Sequence, residues 1–391
     1  MMRRTNTRCI WRYRALALAL AAFGVVRAEA QSRVPNLPVV RDLVIDAAAN
    51  DLSPVTWLAV ARNVTVAIGQ AQDHLVRFFG ASGKSLGVLG RNSEGPGEFR
   101  QLYREGWVGD TLWVSDRSQP RFTLVAPDLK LLRTVPMATG MRTSERDTNQ
   151  STQATTSLTL YANGDQLAMS ILPALDDPQL PSWAKTKANT GSRVVVARVS
   201  SAGILLHPVA YTPFDQCGLD MSALARLCQR PLAEIGPNGD RVAMATATTS
   251  GAELGTFRVV MIGQAGDTIF ARRFPFKPVQ IDAHLRDSLT AAAAAGPRPS
   301  QMRGMATERP SPKIYPPLIH LVIGRDGTTW VEMRETGAGR PYLVLDPKGN
   351  AIGMVTLPMN ATIRAASRTT VWATQRDADD VESVVRFRVG T

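Results

Sequence analysis

Short apolar runs alternate with tight polar turns along most of this chain. Each of six stretches holds an apolar run, a turn or loop, and a second apolar run that ends in another turn. The turns hold Gly, Asn and Asp, the residues that tight antiparallel hairpins require. The paired runs are Val64–Ala67 with Leu75–Phe79, Leu112–Ser115 with Phe122–Val125, Leu167–Ser170 with Val194–Val199, Val242–Ala245 with Phe257–Ile262, Thr329–Glu332 with Tyr342–Leu345, and Thr370–Thr374 with Val384–Val389. The pattern predicts an all-β chain of six similar units.

Six repeated units predict one closed array of four-stranded antiparallel blades. A single blade cannot bury both of its faces, whereas a ring of blades buries them against each other. Val39–Asp46 has strand character but belongs to none of the six units. We therefore expect Val39–Asp46 to pair with Val384–Val389 and close the ring.

One unit carries a specific motif. Gly95-Pro96-Gly97-Glu98-Phe99 precedes the apolar run Thr111–Ser115, then Asp116, then Arg121-Phe122 at the start of the next strand. This order resembles one blade of the six-bladed β-propellers related to NHL repeats, in which a GxGPGxF corner precedes a hairpin. The resemblance implies a six-bladed β-propeller, a fold on which unrelated functions occur.

Two further segments resemble blades of exported bacterial proteins of that group. Tyr315–Leu318 with Asp326-Gly327 and Trp330-Val331 is similar to a fifth blade, and Val371-Trp372 with Val384–Phe387 is similar to a final blade. Only one unit keeps the GPGEF corner, so the borders of the third and fourth blades stay open.

The first thirty residues have the pattern of a signal peptide. Five arginines precede the apolar run Ala15–Val26, and Ala28-Glu29-Ala30 forms an A-x-A cleavage site. Twelve apolar residues are too few for the roughly 20 that a membrane-spanning helix needs. We therefore expect residues 1–30 to be removed and residues 31–391 to form a single propeller domain, exported to the periplasm or secreted, monomeric and not membrane-spanning.

The basic charge does not predict nucleic-acid binding. Removing residues 1–30 deletes six Arg and one Glu, so the formal charge falls from +12 to +7. The remaining arginines are scattered, with neither a run of five nor the interleaved aromatic residues of RNA-binding proteins.

Two cysteines, Cys217 and Cys228, remain after residue 30. In an exported chain a pair of cysteines predicts a disulfide, and two buried thiols are the alternative. Two ligands this far apart without a nearby His do not make a zinc site.

Two insertions interrupt the repeated pattern. Met137–Ser157 is rich in Thr, Ser, Arg and Gln, a composition that predicts a mobile loop. Residues 279–317 hold the second insertion: Asp282–Ala295 predicts a short amphipathic helix, and the Pro-rich Gly296–Pro317 cannot form a central strand.

Most candidate chemical motifs have a structural explanation. Gly83-Lys84-Ser85 lacks the Walker spacing and is typical of a hairpin tip. The GPGEF corner favours a bend between blades over an anion cradle. None of the four histidines belongs to a metal-binding array, and there is no GxSxG motif. Trp113, Trp330 and Trp372 occupy equivalent positions in first strands, which predicts core packing between blades, with aromatic ligand platforms as the alternative. We expect the four histidines to be surface or packed residues and the acidic cluster to be a solvated hairpin turn, with calcium binding as the alternative for the cluster: His74, His207, His284, His320, and Asp377, Asp379, Asp380, Glu382.

These observations favour a binding or interaction module that presents loops to a protein, peptide or glycan. No catalytic, cofactor or metal residue is assigned from the sequence. The alternative is a calcium-dependent, lactonase-like hydrolase, because some six-bladed propellers hold Ca²⁺ in the central channel. Three or more acidic or amide side chains that meet in the channel favour the hydrolase, whereas an apolar or plugged channel favours binding.

Overall fold

Six antiparallel sheets make up the fold in this computed structural model. The structure describes residues 34–144, 153–172, 194–212, 227–249, 254–295, 312–334 and 337–390. Pro35–Thr391 forms one unit. Five sheets have four strands and one has five, so the chain is the expected six-bladed β-propeller.

The blades follow one another along the chain. Blade 1 is β2 Trp57–Val60, β3 Val66–Gln70, β4 Leu75–Phe79 and β5 Ser85–Leu89; blade 2 is β6 Leu102–Val108, β7 Thr111–Asp116, β8 Arg121–Val125 and β9 Leu131–Pro136; blade 3 is β10 Gly140–Met141, β11 Gln153–Leu160, β12 Gln166–Ile171, β13 Val194–Val199 and β14 Leu205–Thr212. Blade 4 is β15 Leu232–Ile235, β16 Arg241–Thr249, β17 Gly255–Gly263 and β18 Thr268–Phe276; blade 5 is β19 Leu318–Ile323, β20 Thr329–Met333, β21 Gly339–Leu345 and β22 Ala351–Pro358; blade 6 is β23 Ala361–Ser367, β24 Thr370–Arg376, β25 Glu382–Val389 and β1 Val39–Ile45. The short helix α1, Ala47–Asn50, follows β1, and α2, Ala283–Ala295, follows β18.

The ring closes as the sequence predicted. β1 pairs antiparallel with β25, from Val39 opposite Val389 to Ile45 opposite Val384. The register shifts between Arg41 and Leu43, which is a β-bulge at Asp42. The first strand of the fold therefore completes the last blade.

Apolar side chains from neighbouring blades fill the spaces between the sheets. Trp372 and Val384 of blade 6, for example, share one buried cluster with Val66 and Ile68 of blade 1. Trp113, Trp330 and Trp372 are 3%, 0% and 3% exposed. The prediction that these tryptophans are core residues is confirmed, although they lie on the second strands of their blades.

Tight turns connect the strands at one end of the ring. Within each blade the first strand turns into the second, and the third into the fourth, at this end. Gly83 is one such turn residue, with φ +79, and its N–H donates to the carbonyl of Gly80 at 2.9 Å. Gly83-Lys84-Ser85 is therefore a hairpin tip, as predicted. We call this side the turn end; its connections are residues 61–65, 80–84, 109–110, 126–130, 161–165, 200–204, 236–240, 264–267, 324–328, 346–350 and 368–369.

Every longer connection leaves from the opposite end. Here the second strand of a blade continues to its third, and each blade continues to the next. We call this side the loop end. Its longest connections are residues 90–101, 137–152, 172–193, 213–231 and 277–317. The two insertions predicted from the sequence both belong to this end.

The GPGEF corner, at the loop end, is held by its own side chains. The N–H of Gly95 donates to Glu98 Oε2 at 2.7 Å, and Arg121 Nη2 donates to the carbonyl of Gly95 at 2.6 Å. Phe99 is fully buried. Because the Glu98 carboxylate already accepts the Gly95 N–H, that group is not free to bind an anion. The corner forms a bend between blades, as the sequence favoured.

The predicted loop Met137–Ser157 is wrong at both ends. Gly140–Met141 forms β10, and β11 begins at Gln153. The N–H of Arg142 donates to the carbonyl of Gly203 at 3.1 Å. Polar composition suggested a loop here, but backbone pairing and side-chain bonds to Ala138 hold these polar residues in the sheet. Residues 145–152 lie outside the described residues.

The predicted helix is confirmed as α2, Ala283–Ala295, and Asp282 Oδ1 accepts the N–H of Leu285 at 3.0 Å. The Pro-rich residues 296–311, the predicted signal peptide at residues 1–30 and Cys217 of the predicted disulfide lie outside the described residues. Within the described part of the chain, no helix is long and apolar enough to cross a membrane.

Candidate functional site

A cavity of about 180 Å³ lies at the centre of the ring. Residues from every blade line it: they lie on the first strands β2, β6, β15, β19 and β23 of five blades and on β11 of blade 3. Many of these residues are polar or charged, in contrast to the apolar layers between blades. They include Thr56, Arg104, Glu105, Thr159, Glu234, Asn238, His320, Arg325 and Arg364, beside Trp57 and Trp107. We call this space the central cavity.

Arg104 is the central charged residue of an aromatic cluster on the loop-end side of the cavity. Its guanidinium carbon lies 4.9 Å from the centroid of the Trp57 ring and 6.0 Å from that of Tyr103. The rings of Trp57 and Tyr103 meet edge to face, with their centroids 6.4 Å apart. The guanidinium carbon of Arg117 lies 4.7 Å from the centroid of the Tyr103 ring. Cation–π contacts of this kind orient a guanidinium without using its N–H groups. We call Trp57, Tyr103, Arg104 and Arg117 the mouth cluster.

The guanidinium of Arg104 keeps hydrogen-bonding capacity. Its Nε is buried and has no hydrogen-bond partner. Among the described residues, no carboxylate lies within ion-pair distance of Arg104. A buried donor without a partner costs free energy unless something else accepts from it.

Glu105, the next residue of β6, is a buried carboxyl group. Neither of its oxygens has a hydrogen-bond partner, and Oε2 lies 2.9 Å from the position that a Cβ on Gly69 would take. Burial raises the pKa of Glu105 to about 8, and the nearby backbone of Ala59 and Gly69 offsets this only in part. Glu105 is therefore largely protonated at neutral pH.

Glu234, on β15, supplies the other acidic group of the cavity. Burial raises the pKa of Glu234, while the positive charge of Arg104 acts in the opposite direction. Arg104 and Glu234 line the same space and interact electrostatically, although they do not form an ion pair.

His320 lines the cavity from β19. Burial lowers the pKa of His320, as do Arg340 and Arg364, and the opposing effect of Glu332 is smaller than that of burial. Its Nδ1 is buried without a hydrogen-bond partner. The imidazole is therefore neutral at pH 7.

The other two arginines of the cavity are engaged. Arg364 donates from Nε to Thr374 Oγ1 at 3.2 Å and from Nη2 to Glu382 Oε1 at 3.5 Å. Arg325 Nη1 donates to the carbonyl of Val60 at 2.7 Å. Both arginines tie blades or strands together, which distinguishes them from Arg104.

A satisfied buried network lies beside the cavity. Arg340 donates to both oxygens of Glu332, at 2.7 and 2.9 Å, and Tyr342 Oη donates to Glu332 Oε2 at 3.0 Å. Burial raises the pKa of Tyr342 well above its usual range. Because the Glu332 carboxylate accepts three bonds from side chains of its own sheet, we assign this network a structural role.

The cavity does not have the ligands of a calcium site. Ca²⁺ takes six to eight oxygen ligands, including several carboxylates. No three His, Cys, Asp or Glu side chains within the described ranges group together as metal ligands. Three guanidinium groups share the space, and the two carboxyl groups there have raised pKa values. These residues do not fit the calcium that the hydrolase alternative requires.

The acidic cluster at residues 377–382 is a turn. Asp377 Oδ1 accepts the N–H groups of Asp379 and Val381, at 3.0 and 2.9 Å, and Asp380 pairs with Arg376. Glu382 is buried and accepts the N–H of Val55 at 2.8 Å. Each of these carboxylates thus has its own partners, and they do not converge on one point.

The remaining histidines lie away from the cavity. His74 has a left-handed backbone, with φ +58, after β3; His207 contacts the carbonyl of Gln264 at 2.9 Å; and His284 lies exposed on α2. Of the four histidines, only His320 reaches the candidate site.

Comparison with known proteins adds a similarity of shape. No family model and no curated protein matches the chain. A DUF4221-family protein from Bacteroides vulgatus shares 8% identity with it, with a TM-score of 0.45 over 91% of this chain and 99% of that one. A catalytically inactive virginiamycin B lyase from Staphylococcus aureus, crystallised with quinupristin, shares 11%, with a TM-score of 0.42 over 90% and 99%. A gluconolactonase from Xanthomonas campestris shares 12%, with a TM-score of 0.39 over 91% and 98%. The similarity concerns the fold alone.

Sequence reasoning missed most of this site. The hairpin units identified in the sequence correspond to the second and third strands of the blades, so the innermost strands were left out. Arg104, Glu105 and Glu234 all belong to those strands. The available signal was the short segment that precedes each Gly or Asp turn, such as Leu102–Val108 before Gly109-Asp110, which has the length of a strand although its centre is charged.

Proposed function

We propose that this protein is an exported binding module that presents the loop end of its propeller to a protein, peptide or glycan partner. One observation carries the proposal: the long connections all leave from one end of the ring, while the other end has only tight turns. Insertions at such positions enlarge a surface without disturbing the scaffold, and loops on a rigid scaffold are where binding residues concentrate.

The mouth cluster lies on the same side. Trp57 begins β2, Tyr103 and Arg104 lie near the start of β6, and Arg117 lies in the loop-end connection after β7. Tryptophan, tyrosine and arginine are the residues that most often dominate binding energy at interfaces. The cluster therefore gives the loop end a candidate centre for recognition.

The hydrolase alternative meets the number of side chains set for it, because Glu105, Glu234 and Asn238 all line the cavity, but the guanidinium groups of three arginines share the same space. Its calcium would need several ionised carboxylates as ligands, whereas the cavity holds three arginines and two carboxyl groups whose pKa values are raised by burial. We therefore expect no turnover of lactones, esters or glycosides above background, with or without added Ca²⁺.

The test compares the two ends of the ring. Residues 31–391 are applied to peptide and glycan arrays as the unaltered chain, as the loop-end variants Trp57→Ala and Arg117→Ala, and as the turn-end variant Lys348→Ala, with the melting temperature of each recorded. We expect binding that falls roughly tenfold or more in the loop-end variants, as at an interface hot spot, and stays unchanged in Lys348→Ala. Binding lost only in Lys348→Ala, or lactone turnover that stops on chelation, would contradict the proposal.

A further inference from the structure

We propose that the central cavity binds the oxyanion of the ligand, a carboxylate or a phosphate, and that Arg104 is the residue that holds it. The inference deepens the proposed function and rests on it, because it names the chemical group that enters the ring from the loop end. Nothing in it requires a reaction at the site.

Arg104 is built for such contact. Trp57 and Tyr103 hold the guanidinium in place through their ring faces, which leaves its edge for hydrogen bonding. The planar fork of a guanidinium matches the two oxygens of a carboxylate or phosphate. Its buried Nε has no partner, although buried donors in folded proteins are almost always paired. An oxyanion would provide the missing acceptor.

The charge around Arg104 favours an anion over a cation. Arg325 and Arg364 line the same cavity, against the two carboxyl groups of Glu105 and Glu234, and His320 is neutral. Arg364 is paired with Glu382, so the two cavity carboxyl groups, if both were ionised, would only balance the charges of Arg104 and Arg325. Burial raises the pKa of both carboxyl groups, so the actual positive potential is higher.

Another blade also brings a side chain with an unpaired polar atom to the cavity. His320 Nδ1 is buried without a partner, on β19, and the side chain lines the cavity together with Arg104 and Glu234. Unpaired polar atoms on two different blades indicate that water or a polar ligand occupies the space between them.

The volume sets the size of the group that can enter. A cavity of about 150 Å³ admits benzene, so the central cavity, at about 180 Å³, suits a group about the size of benzoate. A small organic acid, or the acidic terminus of a larger ligand that extends through the loop end, satisfies this limit.

Isothermal titration calorimetry on residues 31–391 at pH 7 and low salt tests the inference with three probes. Benzoate presents a carboxylate, inorganic phosphate presents the other oxyanion, and benzamide has the shape of benzoate without its charge. Three variants accompany the unaltered chain: Arg104→Met keeps an unbranched stem on Trp57 but loses the charge, Arg104→Lys keeps the charge but loses the fork, and Arg258→Met removes an exposed arginine of β17 away from the cavity.

We expect saturable binding of benzoate or phosphate, and weaker binding of benzamide by at least roughly tenfold. Arg104→Met should weaken the anion roughly tenfold or more, the effect of losing a hydrogen bond to a charged group, while Arg258→Met should leave it unchanged. If Arg104→Met does not fold, Arg104→Lys decides: a loss of affinity supports the site. Which of benzoate and phosphate binds identifies the oxyanion.

Absence of saturable anion binding to the unaltered chain would overturn the inference, as would equal affinity in the Arg104 variants. If the array partner still depends on Trp57 and Arg117 in that case, the inference fails and the proposed function stands. If anions bind through Arg104 while partner binding maps to Lys348, the proposed function fails and the cavity site stands.

Discussion

Asp42 and Arg386 connect the first strand of the fold to the last. Arg386 donates from Nε to Asp42 Oδ1 at 2.8 Å and from Nη2 to Oδ2 at 3.0 Å, and Arg388 also donates to this carboxylate. Asp42 is the residue of the β-bulge between β1 and β25, and bulges redirect side chains out of the regular alternation. The bulge thus turns a carboxylate toward two arginines of the partner strand.

Loss of this carboxylate should weaken closure of the ring. Arg386 lowers the pKa of Asp42, which shows that the charged form is stabilised in the folded state. We expect Asp42→Asn to reduce the free energy of unfolding by about 1.5–3 kcal/mol, the range for hydrogen bonds to charged groups. Chemical denaturation measures the change, and Asp73→Asn, at an exposed aspartate, is the matched control.

The pH dependence of this contribution follows from its sign. A depressed pKa in the folded state gives stability that is present above the unfolded pKa and is lost as pH falls through the folded value. The difference between Asp42→Asn and the unaltered chain should therefore shrink below about pH 4. A constant difference down to pH 2 would contradict the role of the charge.

Glu105 should make the protein less stable as pH rises. Its pKa is raised to about 8 in the folded state, from 4.5. Between these values the unfolded chain loses a proton that the folded chain keeps, so stability is greatest below the unfolded pKa and falls until pH reaches the folded value. We expect Glu105→Gln to remove this slope and to raise stability at pH 8.5 by on the order of a few kcal/mol.

Melting temperatures between pH 4.5 and 8.5 measure this effect. Glu94→Gln, at an exposed carboxyl group, should keep the slope of the unaltered chain. If Glu105→Gln and Glu94→Gln give parallel profiles, Glu105 is not the buried acid that the structure shows.

The scaffold could be read from the sequence because its determinants are local. A hairpin such as Leu112–Ser115 with Phe122–Val125 can be recognised from two apolar runs and the turn between them, and each blade repeats this pattern. Closure by Val39–Asp46 was also predictable, since a strand without a blade must pair with an open edge.

The site could not be read in the same way because it depends on convergence. Arg104, Glu234 and His320 come from three different blades, and each has an unremarkable neighbourhood in sequence. Only the ring brings them to one cavity, and only burial there shifts the pKa values of Glu234 and His320. The Met137–Ser157 loop was wrong for a related reason: tertiary hydrogen bonds, such as that from Ser157 Oγ to Gln166 Oε1 at 2.6 Å, override polar composition.

The disulfide between Cys217 and Cys228 remains a prediction from the sequence. Its closed loop is short, so it should contribute roughly 3 kcal/mol at most. Alkylation without reduction, followed by mass spectrometry of protein made in the periplasm, should find both cysteines blocked from labelling. Two alkylated thiols would show that the pair is reduced, and a Cys217→Ser, Cys228→Ser double variant gives the stability difference.

Trypsin should cut at Arg146 before Arg142. The carbonyl of Arg142 accepts the N–H of Leu205 at 2.8 Å and its N–H donates to Gly203, so a protease must first break this pairing. The composition of residues 145–152 predicts an accessible segment. Early digestion products identified by mass spectrometry should end at Arg146, and Arg146→Gln should slow the first cut. A first product that ends at Arg142 would show that the bridge opens readily.

Closure by β1 also sets the order in which the molecule can be completed. Synthesis proceeds from the N terminus, so β1 is made before every other strand, yet its partner β25 follows all of them. A nascent chain that stops within blade 6 keeps two open sheet edges, and open edges are sites of unwanted pairing. Contacts this distant in sequence also form slowly. The pairing of β1 with β25 can therefore be completed only after the chain has been synthesised as far as Val389, so an incomplete chain cannot close the ring.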